Sequence, residues 1–171
     1  MPDNHTAYVS FGSNMGDRET NCRRGVEALS RTRGVAVMKR SPLYQTSPVD
    51  FLDQGWFVNG ALKLKTALTP FELLRALKEI ERFVGREKPL VRFGPRVLDM
   101  DIVLYGAEVV HSPELVIPHP RMHKRSFVLQ PLCDIDADII HPVFGKSIRY
   151  LLDHLHDDSQ KVWSFPCSDS S

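Results

Sequence analysis

The stretch from Arg92 to Val103, Arg-Phe-Gly-Pro-Arg-Val-Leu-Asp-Met-Asp-Ile-Val, constrains the fold of this chain more than any other. Gly94-Pro95 makes a rigid bend. The apolar run that follows, rich in β-formers, reads as a buried strand from Leu98 to Tyr105. Asp99 and Asp101 interrupt that run two positions apart. Strand side chains alternate faces, so both carboxylates leave the sheet on one side while Leu98, Met100 and Ile102 enter a core on the other. Two same-face carboxylates repel unless a proton or a cation lies between them. At neutral pH a hard divalent metal is the natural solution, and Mg2+ commonly takes one or two carboxylates plus substrate phosphates. The alternative is an exposed strand face that carries Asp for solubility. Asp is disfavoured in strands, and the nearby Arg92 and Arg96 also weigh against it.

Around this strand the rest of the chain from about Ala7 to Trp163 reads as one domain, with no internal repeat or low-complexity linker. Ala7 to Phe11 is a short apolar strand, with Gly12-Ser13-Asn14 as a strand-to-helix turn. Asp17 to Arg31 carries apolar residues at Cys22, Val26 and Leu29 and predicts an amphipathic helix stopped by Gly34. Val35 to Ser41 is a second strand. Val58 to Lys65 alternates Val58, Gly60, Leu62 and Leu64 against Asn59, Ala61, Lys63 and Lys65, the pattern of a half-buried third. Thr69 as N-cap, Pro70 at the first helical position and Glu72 open a helix through Leu73, Leu74, Leu77 and Ile80 to Gly85. After Tyr105, Gly106 with Glu108 suggests a short hairpin, and further helix follows Arg121. The order βαββαβ is the split-βαβ, ferredoxin-like arrangement. It is an α+β fold of antiparallel sheet with helices on one face, plus C-terminal helical additions. Two segments, Ser41 to Trp56 and Arg86 to Phe93, fit neither period and are long for connections inside a compact domain, which points to function or mobility.

Composition narrows the partners. With 22 basic and 21 acidic residues the formal charge is +1, which argues against a general nucleic-acid binder and leaves local basic clusters for a small anion. Three cysteines, Cys22, Cys133 and Cys167, lack metal-ligand spacing and read as free thiols of a reducing compartment. Neither a membrane-length apolar run nor a signal-peptide core is seen, so a cytoplasmic location is expected, with no membrane partner. The tail from about Ser164, ending Ser-Asp-Ser-Ser, reads as disordered. The oligomeric state is left open, with a monomer allowed.

Several blocks together carry a resemblance. They are Tyr8-Val9-Ser10-Phe11-Gly12-Ser13-Asn14, Tyr44-Gln45-Thr46-Ser47-Pro48, Phe57-Val58-Asn59, Glu81 with Arg86, and the run Arg92 to Val103. Val116-Ile117-Pro118-His119-Pro120-Arg121-Met122 and Arg125-Ser126-Phe127 complete the set. Across nearly its whole length the chain resembles the 6-hydroxymethyl-7,8-dihydropterin pyrophosphokinases of folate biosynthesis. These enzymes transfer pyrophosphate from ATP to a reduced pterin alcohol and release AMP. The resemblance implies the ferredoxin-like fold, ATP and 6-hydroxymethyl-7,8-dihydropterin as partners, and two Mg2+ ions held by Asp99 and Asp101. Arg86, Lys88, Arg96, His119 and Arg125 become phosphate ligands, with Glu81 and Ile102 also in the ATP set and Arg86 and Arg96 acting in catalysis. Arg suits bidentate phosphate geometry, whereas Lys acts as a point charge. Phe57 and Phe127 would sandwich the pterin ring, with Asn59 and the backbone of Thr46, Ser47, Pro48 and Val49 reading its edge.

This chain departs from the family pattern in places. Phe57 stands where relatives often have Tyr, Phe93 replaces a frequent Trp, Lys88 replaces Arg and Lys78 replaces Gln, while Glu114 and Val116 differ near the nucleotide. Two other readings stay open at this level. One is a metal-dependent sugar-nucleotide transferase, which also uses Asp-x-Asp; the other is a non-enzymatic ferredoxin-like binding module. The pterin blocks have no role in the first, and the second would tolerate loss of the metal.

Overall fold

The computed structural model describes residues 4–46, 56–85, 97–156 and 162–164. Its main sheet is built from β1 (His5–Ser13), β2 (Val35–Arg40), β3 (Tyr44–Thr46), β4 (Phe57–Thr66), β5 (Asp99–Tyr105) and β8 (Val162–Ser164). The spatial order is β5-β1-β4-β3-β8, with β2 also on β4, and every pairing is antiparallel. Helix α1 (Arg18–Ser30) connects β1 to β2 across β4, and α2 (Pro70–Gly85) connects β4 to β5 across β1. Each pair of connected strands therefore encloses the strand of the other unit, which is the split-βαβ topology the element order implied. Beyond β5, β6 (Val110–His111) and β7 (Val116–Ile117) form a small separate hairpin. A 3-10 turn at Met122–Lys124 then leads into α3 (Ser126–Asp136) and α4 (Ile148–Asp153).

Period-two alternation divides the sheet between two cores. Ala7, Val9 and Phe11 of β1, Val58, Leu62 and Leu64 of β4, and Met100 and Ile102 of β5 face α1 and α2, meeting Cys22, Val26, Leu29, Leu73, Leu77 and Ile80. Tyr8, Ala61, Val103 and Leu104 face the other way and pack on Val128, Leu129, Leu132 and Ile135 of α3 and Ile148 of α4. Helices cover both faces, not one as expected from the strand order alone. The apolar positions of α3 are buried, and only the second face of the sheet is open to receive them. In β5, Val103 and Leu104 both turn to the α3 side and Tyr105 returns to the α1 side, because the register with β1 shifts between Tyr8 and Val9. The bulge leaves Asp99 and Asp101 in strict alternation on the α3 side.

Helix ends follow their sequence signals. The Asp17 side chain accepts the Thr20 N–H at the start of α1. At the start of α2, Thr69 Oγ1 accepts the Glu72 N–H at 3.2 Å while Glu72 Oε1 accepts the Thr69 N–H at 2.8 Å, a reciprocal capping box. Other expectations are corrected. Gly12 and Ser13 continue β1 and do not begin a turn, since they pair with Asn59 and Val58. The segment after Ser41 contains the strand β3, too short to show a period and set only by its partners β4 and β8. Ser164 belongs to β8, and the residues after it lie outside those described.

Leu77 is fully buried between α2 and the sheet, so Leu77→Ala should cost about 2–5 kcal/mol. Thr69→Ala removes one side of the capping box and should cost about 1 kcal/mol. Urea unfolding checks both. Equal losses would mean that the cap holds α2 as strongly as this buried side chain does.

Candidate active site

The site begins with one row across the sheet. Tyr44 pairs with Asn59, Asn59 with Gly12, and Gly12 with Asp99. Directly opposed residues of antiparallel strands point to the same face, so Tyr44, Asn59, Gly12 and Asp99 all face the α3 side. The next row carries Ala61, Ser10 and Asp101. Two strand spacings separate Asn59 from Asp99, about 10 Å. The residue between them has no side chain. A Cβ on Gly12 would fall well inside contact distance of Asn59 Nδ2, so only glycine leaves the Asn59 amide its present position.

Asn59 is buried, and its amide orientation is set by Thr46, whose hydroxyl donates to Asn59 Oδ1 in a short, buried hydrogen bond. With Oδ1 engaged, Nδ2 is left to offer its hydrogens to an acceptor on a ligand. Phe57 pairs with Thr46 and, two residues before Asn59, is half-buried on the same face. Tyr44 donates to Asp134 of α3, fastening the helix to this end of the sheet.

At the other end of the row lies an acidic edge. Among the described residues β5 is the last strand of the sheet, and its outward backbone groups dock two other elements. Glu81 of α2 accepts the N–H of Met100, the residue between the two aspartates, at 2.7 Å. The N–H of His119 reaches the Val103 carbonyl at 3.0 Å. Lys78 lies 3.3 Å from Glu81, half-exposed beside Asp99 and Asp101. Burial opposes its charge, but Glu81, Asp101 and Asp99 outweigh that and hold its pKa above the usual value. Burial, followed by the Asp99 charge, pushes Glu81 up to about 7. Asp101 is likewise raised, by burial first and then by Glu81, against the pull of Lys78 and Arg125. Three carboxylates thus meet two cations at a partly desolvated edge, a place that takes up a proton or a further cation.

His119 follows a cis Ile117-Pro118 bond. Its Nδ1 accepts the Arg121 N–H at 3.1 Å, which puts the ring proton on Nε2 as a donor. Burial, with the Arg125 and Arg121 charges, pushes its pKa down to about 4, so the ring is neutral at physiological pH. Arg125 precedes α3, close enough to Asp101 and His119 to shift both, and lies 5.4 Å over the Phe127 ring. Phe127 opens α3, half-buried against the second core.

The structure therefore brings Thr46, Phe57, Asn59, Asp99, Asp101, His119, Arg125 and Phe127 to one side of the sheet. Glu81 stands at the edge of β5 and uses one oxygen on the backbone. Ile102 turns its side chain into the α1 and α2 core, leaving only its backbone for any ligand contact. Ser47, Pro48, Val49, Arg86, Lys88, Arg96 and Phe93 lie outside the described residues. Sequence reading assigned no site role to Gly12, nor to Lys78 as the cation of the acidic edge. Lys78 had a usable signal, its position three residues before Glu81 on one helix face. The donor set suits Mg2+, since Asp99 and Asp101 supply hard oxygen ligands. Among the described residues no group of three or more His, Cys, Asp or Glu is arranged to hold a metal. An ion here would complete its shell from water and ligand oxygens.

Comparison with known proteins gives the family of the chain. A family model described as 7,8-dihydro-6-hydroxymethylpterin-pyrophosphokinase matches residues 8–137. The chain is 47% identical over 132 residues to the 2-amino-4-hydroxy-6-hydroxymethyldihydropteridine pyrophosphokinase of Bacillus subtilis, covering 77% of this chain and 78% of that one. It is 40% identical to the Aquifex aeolicus protein of the same name, over 84% of this chain and 88% of that one. Against the folic acid synthesis protein fol1 of Pneumocystis carinii the identity is 43% over 93% of this chain, which spans only 21% of that longer protein. The fold is similar to that of wild-type HPPK-DHPS from Plasmodium falciparum, solved with pterin and p-hydroxybenzoate. The TM-score is 0.72 at 15% identity, covering 90% of this chain and 43% of that one. These relatives set the class, an enzyme of the diphosphotransferase type. The chain belongs to the 7,8-dihydro-6-hydroxymethylpterin-pyrophosphokinase family.

The repulsion at the acidic edge gives a direct test. Asp101→Asn should raise the melting temperature of the metal-free chain, because one half-buried charge is removed from beside two other carboxylates without loss of volume. Millimolar Mg2+ should stabilise the wild type and leave the variant unmoved, as thermal unfolding with and without the ion will show. A variant that still gains stability from Mg2+ would remove Asp101 from the metal site.

Proposed function

We propose that this chain transfers the pyrophosphoryl group of ATP to the hydroxymethyl oxygen of 6-hydroxymethyl-7,8-dihydropterin, in tetrahydrofolate biosynthesis. The oxygen of the alcohol bonds to the β-phosphorus, the bridge to the α-phosphate breaks, and AMP leaves with the pterin diphosphate as product. The observation that carries this reading is the row from Asn59 through Gly12 to Asp99. An oriented amide and an acidic edge share one face about 10 Å apart, with a glycine floor between them that a flat bicyclic ring can cover.

In this reading Asn59, held by Thr46, donates to the pterin edge, while Phe57 and Phe127 provide aromatic faces. Ser47, Pro48 and Val49 are assigned to the same edge from sequence. Asp99 and Asp101 hold Mg2+, and two ions fit the excess of carboxylate at the edge. The metal supplies charge neutralisation for the triphosphate and for the attacking and leaving oxygens. Glu81 fixes the backbone between the two aspartates and so sets their spacing. His119, neutral with its proton on Nε2, and Arg125 are assigned to phosphate oxygens. Arg86, Lys88 and Arg96 are assigned to the same triphosphate from sequence. Positioning and electrostatics of this kind carry most of the rate in phosphoryl-type transfer. We take the 171 residues as a single pyrophosphokinase unit. The free thiols of Cys22 and Cys133 support a reducing, cytoplasmic setting, and among the described residues no helix is long and apolar enough to cross a membrane.

Incubation with ATP, Mg2+ and the pterin alcohol should release AMP and no ADP. Asp99→Ala and Asp101→Ala should each abolish that turnover with the fold intact by circular dichroism. ADP as product, or near-normal turnover in either variant, would overturn the assignment.

The pterin end has its own test. Asn59→Ala leaves polar atoms of the ligand unpaired, a loss of about 1–3 kcal/mol or one to two decades of affinity. Gly12→Ala should act in the same direction by displacing the Asn59 amide. Calorimetric titration of the pterin in the presence of a non-hydrolysable ATP analogue measures both, and affinity for the analogue alone should hardly move. Unchanged pterin affinity in Asn59→Ala would make Asn59 a strand residue only.

A further inference from the structure

The chain contains two tryptophans, Trp56 and Trp163. They stack on one another, ring centroids 4.4 Å apart and planes inclined by 21°. Trp163 is in β8, beyond the residues that the family model matches. β8 lies on the outer edge of β3, pairing Val162 with Thr46, Trp163 with Gln45 and Ser164 with Tyr44. Gln45 also pairs with Val58, whose side chain enters the α1 and α2 core. Trp163 therefore lies on the face opposite Asn59, and it is half exposed.

We propose that Trp163 is a positioning residue of the pterin pocket, acting from the back of the sheet through Trp56 and β3. β3 has three residues, and Thr46 at its end must keep its hydroxyl on Asn59 Oδ1 if the amide is to present its donors. As an edge strand so short a segment would fray; paired on both sides by β4 and β8 it is held in register. β8 is equally short, and the indole stack is its one aromatic anchor among the described residues. The same stack fixes the chain entering β4. Trp56 is gripped by the Trp163 ring, while its carbonyl accepts from Arg18 Nη1 of α1 at 2.5 Å, and the next residue is Phe57. One exposed side chain near the C-terminus thereby sets both the amide donor and one aromatic wall. The inference rests on the pterin reading given above.

The test uses the full chain. Stacked indoles give an exciton couplet in circular dichroism, and since these two are the chain's whole tryptophan content, the couplet reports the stack directly. Trp163→Ala should abolish the couplet and weaken binding of the pterin alcohol, measured with a non-hydrolysable ATP analogue present, about three- to tenfold. The KM for pterin should rise by the same factor at nearly unchanged kcat, and affinity for the analogue alone should stay as in wild type. Trp163→Phe should recover pterin affinity, and deletion of residues 162–171 should reproduce Trp163→Ala. Loss of the couplet with pterin affinity unchanged overturns the proposal, as does a parallel fall in pterin and analogue affinity. Wild-type protein that shows no couplet overturns it too. Wild-type protein that binds no pterin overturns the functional reading and this inference together, whereas normal wild-type binding with an indifferent Trp163→Ala overturns this inference alone.

Discussion

The site depends on β1 running between β4 and β5, antiparallel to both, in a register that its own buried residues enforce. Ala7, Val9 and Phe11 enter the α1 and α2 core, and a one-residue slip would turn all three to the opposite face. That same register sets Gly12 opposite both Asn59 and Asp99. Hydrophobic burial on one face of the strand thus decides which polar groups meet on the other. The separation of the amide from the acidic edge is then a matter of strand spacing, fixed by backbone hydrogen bonds and insensitive to side-chain flexibility.

The second constraint is electrostatic. A terminal strand exposes a row of backbone donors and acceptors, and β5 spends them on Glu81 and on the His119 turn. Docking Glu81 there concentrates negative charge beside Asp99 and Asp101, and Lys78 and Arg125 offset only part of it. Burial and mutual repulsion raise the pKa of Glu81 and Asp101 together. Docking the His119 turn does the reverse on the other side, drawing Arg125 and a neutral imidazole toward the same edge. Carboxylates and phosphate-compatible donors therefore gather at a single strand edge, which is the frame that the proposed magnesium–nucleotide reading uses.

The α3 layer makes the sheet face usable. Tyr8 donates to Asp136 at 2.7 Å, Lys63 pairs with Asp136 at 2.8 Å and Tyr44 reaches Asp134, so polar ties fasten α3 across β1, β4 and β3. Below these ties Val128, Leu129 and Leu132 close a second core. The closed part of the face gives rigidity. The part beyond Ala61 and Ser10 has Gly12, without a side chain, between Asn59 and Asp99.

Much of this was legible in the residues themselves. Alternation in Val58 to Lys65 and in Leu98 to Val103 assigned each side chain to a face, and Thr69-Pro70 with Glu72 marked the start of α2, because local backbone geometry depends on neighbours in the chain. The shared face of Asp99 and Asp101 followed from the same alternation. The tertiary structure decided what depends on partners distant in sequence. Helices cover both faces, and Glu81 spends an oxygen on the Met100 N–H. Gly12 serves as the floor under Asn59, and two strands of three residues exist only because β4 and each other supply their hydrogen bonds. The sequence by itself determined the βαββαβ order, the two faces of each long strand and the acidic pair, since these follow from periodicity and covalent spacing. Only the folded chain determined the register that sets Asn59, Gly12 and Asp99 in one row, because register is a relation between strands and no single strand encodes it.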